Sequence, residues 1–402
     1  MITSGLVVRI GLSQLICWGI SYYLVGVFGG RITADLGWSP TLTYAGFSIA
    51  LIVMGLSSPL VGRLIDRRGG RPVMLAGSCL TAIGCAGVSA SRGPITYDAA
   101  WVCLGLAMRM TLYDAAFAAL VRIGGPHAKR PISQITLLGG LASTVFWPIG
   151  HFLADALGWR KALLAYAAIA LLTIPLHLAI PPAVYERSAD TVLAEHAPLA
   201  VTRRERIVAG SLYAVIATIT TSLNSAMSAH MIGILVGLGV TTSVAVWIST
   251  LRGIGQSSAR LCEVLFGSAM SPLALGVLAT SLLPLCFVTG LFSGLSPAAA
   301  IGFAFVFGAG NGLVTIVRGS LPLVLFDPRS YGSVVGVLLV PSFLISALAP
   351  LAYAFVIDRF GDAAALYVSV ALATVVLAAS VLTSIRFGGR GTKTAPSRLE
   401  RA

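Results

Sequence analysis

Apolar runs of about twenty residues recur along the whole chain, separated by short segments where Arg, Asp, Gly and Pro collect. A helix needs about 20 apolar residues to cross a bilayer core, so each run predicts one membrane span. The runs fall near 6–28, 41–61, 73–90, 95–121, 131–156, 161–180, 207–236, 242–266, 271–292, 297–325, 331–356 and 364–385. Trp147, Pro148 and His151 interrupt the fifth, which is tolerated where neighbouring helices satisfy the freed backbone groups. The first run is long enough to cross and lacks a cleavage signature, so it is read as a helix and not as a leader. The pattern predicts an all-α polytopic membrane protein with twelve transmembrane helices.

Composition agrees, since 57% of the residues are hydrophobic and only 10% charged. Water-soluble domains carry roughly 25% charged residues to wet their surface. The net charge of +13 raises the question of nucleic acid, but the basic residues sit in clusters between apolar runs instead of lining one face. That arrangement belongs to membrane loops and excludes a nucleic-acid partner. With the N-terminus inside, eighteen Lys and Arg fall on the cytoplasmic side, including Arg63, Arg122, Lys129, Arg187, Arg260, Arg329 and five in the tail. Arg31, Arg92, Arg160, Lys161 and Arg359 fall outside, so both termini are placed in the cytoplasm of a cell inner-membrane protein. The longest polar connection gives an N-terminal six-helix half at 1–180 and a linker at 181–206. A C-terminal half at 207–385 and a cytoplasmic tail at 386–402 follow.

The two halves echo each other. Arg63-Leu64-Ile65-Asp66 ends the second run and Arg260-Leu261-Cys262-Glu263 ends the eighth. Asp155-Ala156-Leu157-Gly158 likewise matches Asp358-Arg359-Phe360-Gly361. Repeated halves in a membrane protein mark transporters, whose site lies between the repeats. The stretch Gly62-Arg63-Leu64-Ile65-Asp66-Arg67-Arg68-Gly69-Gly70-Arg71 resembles the loop signature of the major facilitator superfamily. Asp35-Leu36-Gly37-Trp38-Ser39 is similar to bacterial monocarboxylate-porter-like members. The resemblance implies two pseudo-symmetric six-helix halves, alternating access, and a conformational-latch role for Gly62, Asp66, Arg67, Gly69 and Arg71. In physical terms, Asp66 can accept hydrogen bonds from a neighbouring helix N-terminus and pair with Arg67 or Arg71. Gly62 permits close helix contact, and Gly69-Gly70 a tight turn. The fifth run departs from the family's antiporter pattern, with Trp147 and His151 where glycines are expected.

Charges inside spans point to the site. Arg109, Asp114, Arg252 and Arg318 cost about 2.5–3.5 kcal/mol each at a bilayer centre, so they should meet partners or water. Arg9 lies near the inner end of its helix and can snorkel. The resemblance implies that the first, fourth, seventh and tenth helices line a cavity. Asp114 then faces Arg318 as a proton-titratable or gating partner, and Arg109 or Arg252 attracts an anion. Polar stripes support lining roles for Gln14, Trp18 and Tyr22 in the first helix, Thr221, Asn224, Ser225 and Ser228 in the seventh, and Asn311 and Thr315 in the tenth. His151 and His230 are read as structural residues.

The expected partners are a small-molecule substrate, a coupling proton and the bilayer; no cofactor and no metal site are implied. The six cysteines show no CxxC or Cys/His ligand spacing. The leading expectation is a secondary transporter of a small, organic or other anion coupled to protons. The alternatives are export of a toxic solute, such as a trivalent metalloid or a drug, and a non-transporting sensor. No GxSxG, HExxH or nucleotide loop is present to suggest an enzyme.

Overall fold

The computed structural model describes residues 2–182, 184–185, 198–267 and 270–391. Residues 186–197 of the expected linker, Arg187 among them, and 392–402 of the tail lie outside the described residues. Secondary structure among the described residues is helical. The first crossing is α1 (Ser4–Cys17), a π-helical turn at Trp18–Tyr22 and α2 (Leu24–Leu36). Next come α3 (Pro40–Arg68) and α4 (Gly70–Ala90), then α5 (Pro94–Thr111) and α6 (Tyr113–Gly124), which together form the fourth crossing. The fifth is α7 (Lys129–Gly140) with α8 (Ala142–Leu157), and the sixth α9 (Trp159–Leu171) with α10 (Thr173–Leu178). The second half holds α11 (Arg203–Gly237), α12 (Thr242–Phe266), α13 (Pro272–Gly290) and α14 (Pro297–Leu325). It continues with α15 (Tyr331–Leu338), α16 (Val340–Phe360) and α17 (Asp362–Gly391).

Ten helical stretches among the described residues are long and apolar enough to cross a membrane. One of them, Pro94–Leu157, is 64 residues long and holds two crossings. Helix α12 is absent from the ten because it carries Arg252, Gln256, Arg260 and Glu263. The count is thus consistent with twelve crossings. Large apolar side chains face outward on these helices, Leu56 at 67% exposure and Phe152 at 71%, as a lipid-facing surface requires.

The helices group into two compact units, Met1–Ala183 with Arg329–Ala347, and Val184–Pro328 with Leu348–Ala402. Segment Arg329–Ala347, expected in the second half, therefore packs with the first. In the first unit α5 packs against α3 and α4, α4 against α9, and α15 against α3. In the second, α14 packs against α12 and α13, and α17 against α13 and α11.

The internal repeat is visible in the backbone of each unit. Helices α3 and α12 start at Pro40 and Thr242, and α4 and α13 at Gly70 and Pro272, an offset of 202 in both cases. Gly158 and Gly361 close α8 and α16 with φ of +80° and +85°, a left-handed turn that favours glycine. A Cβ at Gly105 would overlap the Ala50 carbonyl oxygen, and one at Gly308 that of Arg252. The same glycine-to-backbone seat thus recurs in both units.

This register corrects one expectation. The match of Arg63…Asp66 to Arg260…Glu263 has an offset of 197, so the two motifs sit five residues apart in helix register. Arg260 takes the place of Ser58, not of Arg63, and is a buried residue (2% exposed), not a loop charge.

Candidate functional site

In the first unit the loop signature sits against α15. Asp66 Oδ1 accepts from the Gly332 N–H (2.9 Å), and its Oδ2 accepts from the Ser333 N–H (2.6 Å) and hydroxyl (2.5 Å). These donors belong to the first turn of α15, whose exposed N–H groups and dipole attract a carboxylate. A side chain at Gly62 would overlap the Gly332 carbonyl oxygen, so only glycine lets α3 approach this closely. Gly69, at φ +90°, is the one residue between α3 and α4. Among the described residues neither Arg67 nor Arg71 pairs with Asp66, against expectation. Arg122 acts instead through the backbone, donating to the carbonyls of Asp66 (3.1 Å) and Arg67 (3.4 Å).

The fourth crossing is broken. Leu112 is extended (φ −77°, ψ −175°) and separates α5 from α6. Gln14, fully buried, donates Nε2 to the Thr111 carbonyl at 2.8 Å, a group that this break leaves without its helical donor. This bond ties the first crossing to the fourth. Asp114 lies in the first turn of α6 and is 8% exposed. Arg109 is 2% exposed, and its Nε donates to Ser58 Oγ at 2.9 Å, across to α3. The guanidinium thus sits inside the helix packing. Trp18 and Tyr22, in the π turn, lie 4.8 Å apart between ring centroids, with Tyr113 4.9 Å from Trp18.

The second unit brings together the polar stripes of α11, α12 and α14. Arg252 is half-buried, and its Nη2 donates to Asn224 Oδ1 (2.6 Å) and Ser228 Oγ (2.9 Å). Asn311 Nδ2 donates to the same Asn224 oxygen at 2.7 Å. The guanidinium carbon lies 5.3 Å from the Phe307 ring centroid, within cation–π range. About two turns further along α12, Arg260 reaches the Gly312 carbonyl (3.4 Å) and Thr315 Oγ1 (3.1 Å). Arg318 is half-buried, and its carbonyl accepts from Tyr213 Oη at 2.9 Å.

These polar constellations inside apolar helices match a known fold. The family model of the Major Facilitator Superfamily matches residues 10–350. This chain belongs to the Major Facilitator Superfamily. Monocarboxylate transporter 1 of Mus musculus is 28% identical over 174 residues, 42% of this chain and 33% of that protein. Multidrug resistance protein MdtL of Shigella flexneri is 30% identical over 165 residues, 40% of this chain and 41% of that one. The chain thus matches about a third to two fifths of the length of these curated relatives. Among solved structures, the human organic anion transporter MFSD10 aligns with TM-score 0.69 at 17% identity, covering 94% of this chain and 99% of the other. FucP in the outward conformation aligns with TM-score 0.70 at 14% identity, covering 94% and 98%. Both likenesses show the facilitator fold.

Sequence reasoning missed Arg260, Phe307, Ser58 and Ser333 as partners within these clusters. For Arg260 a signal existed. Arg252, Gln256, Arg260 and Glu263 recur at spacings of four, four and three, which is one helix face.

Proposed function

We propose that this facilitator-family transporter moves a small organic anion coupled to protons, and that Arg252 binds the negative end of the substrate. The observation that carries the reading is the Arg252 cluster. A half-buried guanidinium is held by an amide and a hydroxyl within a membrane helix bundle. A positive charge is expensive there and is kept for ion or substrate pathways. The planar fork of arginine matches a carboxylate bidentately, which lysine cannot do. The likeness to monocarboxylate transporter 1 supports the same substrate class. Asp114 is assigned the proton-titratable role, and the Asp66 loop the conformational latch. The Lys and Arg asymmetry supports an inner membrane with both termini cytoplasmic.

The test is uptake of labelled monocarboxylates into proteoliposomes holding the full chain. Arg252→Gln should lower kcat/KM by about 30-fold or more, the scale of a lost charge-assisted pair, with Arg252→Lys between it and wild type. Unchanged uptake in Arg252→Gln would remove the assignment. Export of drugs in place of anion uptake would favour the second reading, which the likeness to MdtL supports.

A further inference from the structure

The carboxyl end of α14, in the second unit, carries a break that anion binding by Arg252 does not use. Pro322 lies inside this helix and has no N–H. The carbonyl four residues earlier, that of Arg318, therefore loses its helical donor. Tyr213 of α11 supplies another, since its Oη donates to the Arg318 carbonyl at 2.9 Å. Tyr213 is buried, so this hydroxyl belongs to the helix packing. Sharp bends in helices centre on such prolines, where the backbone ladder lacks a bond.

Beyond Pro322 the helix is fastened to the same neighbour. A helix end leaves its last carbonyls without intrahelical donors. Here the Leu199 N–H donates to the Val324 carbonyl (2.9 Å) and the Ala200 N–H to that of Leu325 (3.2 Å). The next two N–H groups, of Val201 and Thr202, donate instead to Glu205 Oε2, both at 3.0 Å. Glu205 and Thr202 form the capping box that starts α11. Four consecutive amides thus bracket the end of α14 to the start of α11. Tyr213, about three turns along α11, joins the same two helices on the other side of Pro322.

We infer that α14 bends at Pro322 in the transport cycle, and that the Tyr213 hydroxyl is the catch that holds it as seen here. The end beyond Pro322 stays bracketed to α11 through residues 199–202. The part before it tilts when Tyr213 releases the Arg318 carbonyl. That part carries Asn311, whose Nδ2 donates to Asn224 Oδ1 (2.7 Å), so the tilt reaches the amide that also holds Arg252. A catch made of one neutral hydrogen bond is weak enough to open and close at ordinary temperature.

The experiment is a double-mutant cycle on the full chain in nanodiscs, read by hydrogen exchange of the peptide covering 314–325. Tyr213→Phe removes only the hydroxyl and should speed exchange there about three- to tenfold. Pro322→Ala returns an N–H to the Arg318 carbonyl and should slow exchange by a similar factor. In the Pro322→Ala protein, Tyr213→Phe should then change exchange by less than about twofold, because the helical donor is back. Equal acceleration in both backgrounds, the mark of loosened packing alone, would overturn the inference. Unchanged exchange in Tyr213→Phe would overturn it too, and that variant decides where Pro322→Ala does not fold. Pro322→Ala should also lower kcat for monocarboxylate uptake at least about threefold, with KM within about twofold, as a stiffened conformational step does. An unchanged kcat would place the bend outside the cycle and overturn its role there. A wild type that takes up no monocarboxylate counts against the proposed substrate, and the exchange cycle then decides the hinge.

Discussion

The Asp66 contact offers the sharpest quantitative prediction. Asp66→Asn keeps the shape of the side chain but presents one acceptor and one donor where the carboxylate presents two acceptors. The Gly332 N–H bond survives in weaker, neutral form, and the Ser333 N–H, now facing an amide NH2, loses its acceptor. Hydrogen bonds to charged groups contribute about 1.5–3 kcal/mol against about 0.5–1.5 for neutral ones, and an orphaned donor costs about 1–3 more. The α3–α15 contact should therefore weaken by about 2–4 kcal/mol, or roughly 30- to 700-fold in its opening equilibrium. Hydrogen exchange of the full chain in nanodiscs, followed on the peptide covering 331–338, reads that equilibrium directly. The amides of Gly332 and Ser333 should exchange faster by that factor. Gly62→Ala, which drives a methyl into the Gly332 carbonyl without touching the charge, should produce the same loosening. Protection in 331–338 unchanged within about threefold in Asp66→Asn would refute the assignment of Asp66 to this helix terminus.

Three further outcomes follow from the geometry. Gly105→Ala and Gly308→Ala each place a methyl against backbone, which cannot swing aside, and should each destabilise by about 1–3 kcal/mol in thermal unfolding; Gly308→Ala should also raise KM for anions, because the carbonyl it displaces belongs to Arg252. Asp114→Asn should abolish the pH dependence of uptake while solute binding persists, and full pH-dependent uptake in that variant would remove the coupling role. Replacing all six cysteines by serine should leave monocarboxylate uptake in place, whereas loss of transport together with loss of arsenite resistance would point to a thiol-seeking solute.

Much of the architecture was legible because a membrane imposes a single strong constraint, runs of apolar residues of fixed length. The runs at 41–61 and 297–325 lie within α3 and α14, while the charged residues Arg63 to Arg68 extend α3 beyond its apolar run. The loop signature was legible in its chemistry too, since Asp66 does accept from a neighbouring helix N-terminus. What local pattern does not encode is which distant backbone group a polar side chain meets. Gln14 shares a face with Trp18, but nothing local shows that its Nε2 meets the Thr111 carbonyl, 97 positions away, freed by a break at Leu112 that carries no Pro or Gly. Arg109 was legible as a costly charge in a span; that its Nε meets Ser58 on α3, 51 positions away, was not. The repeat was found but set in the wrong register. Short charged motifs recur by chance, while the glycines that seat one helix on another, Gly105 and Gly308, are informative only once their neighbours are known.

Gradient-driven transport of a carboxylate through the Arg252 cluster, as proposed, can be tested in a single assay. Its most direct measurement is accumulation of a labelled monocarboxylate in proteoliposomes under an imposed pH gradient, with and without a protonophore, for wild type and Arg252→Gln. The wild type should accumulate the anion above equilibrium and lose it with protonophore, and Arg252→Gln should accumulate none. Accumulation indifferent to the gradient, or equal in the two proteins, would contradict it.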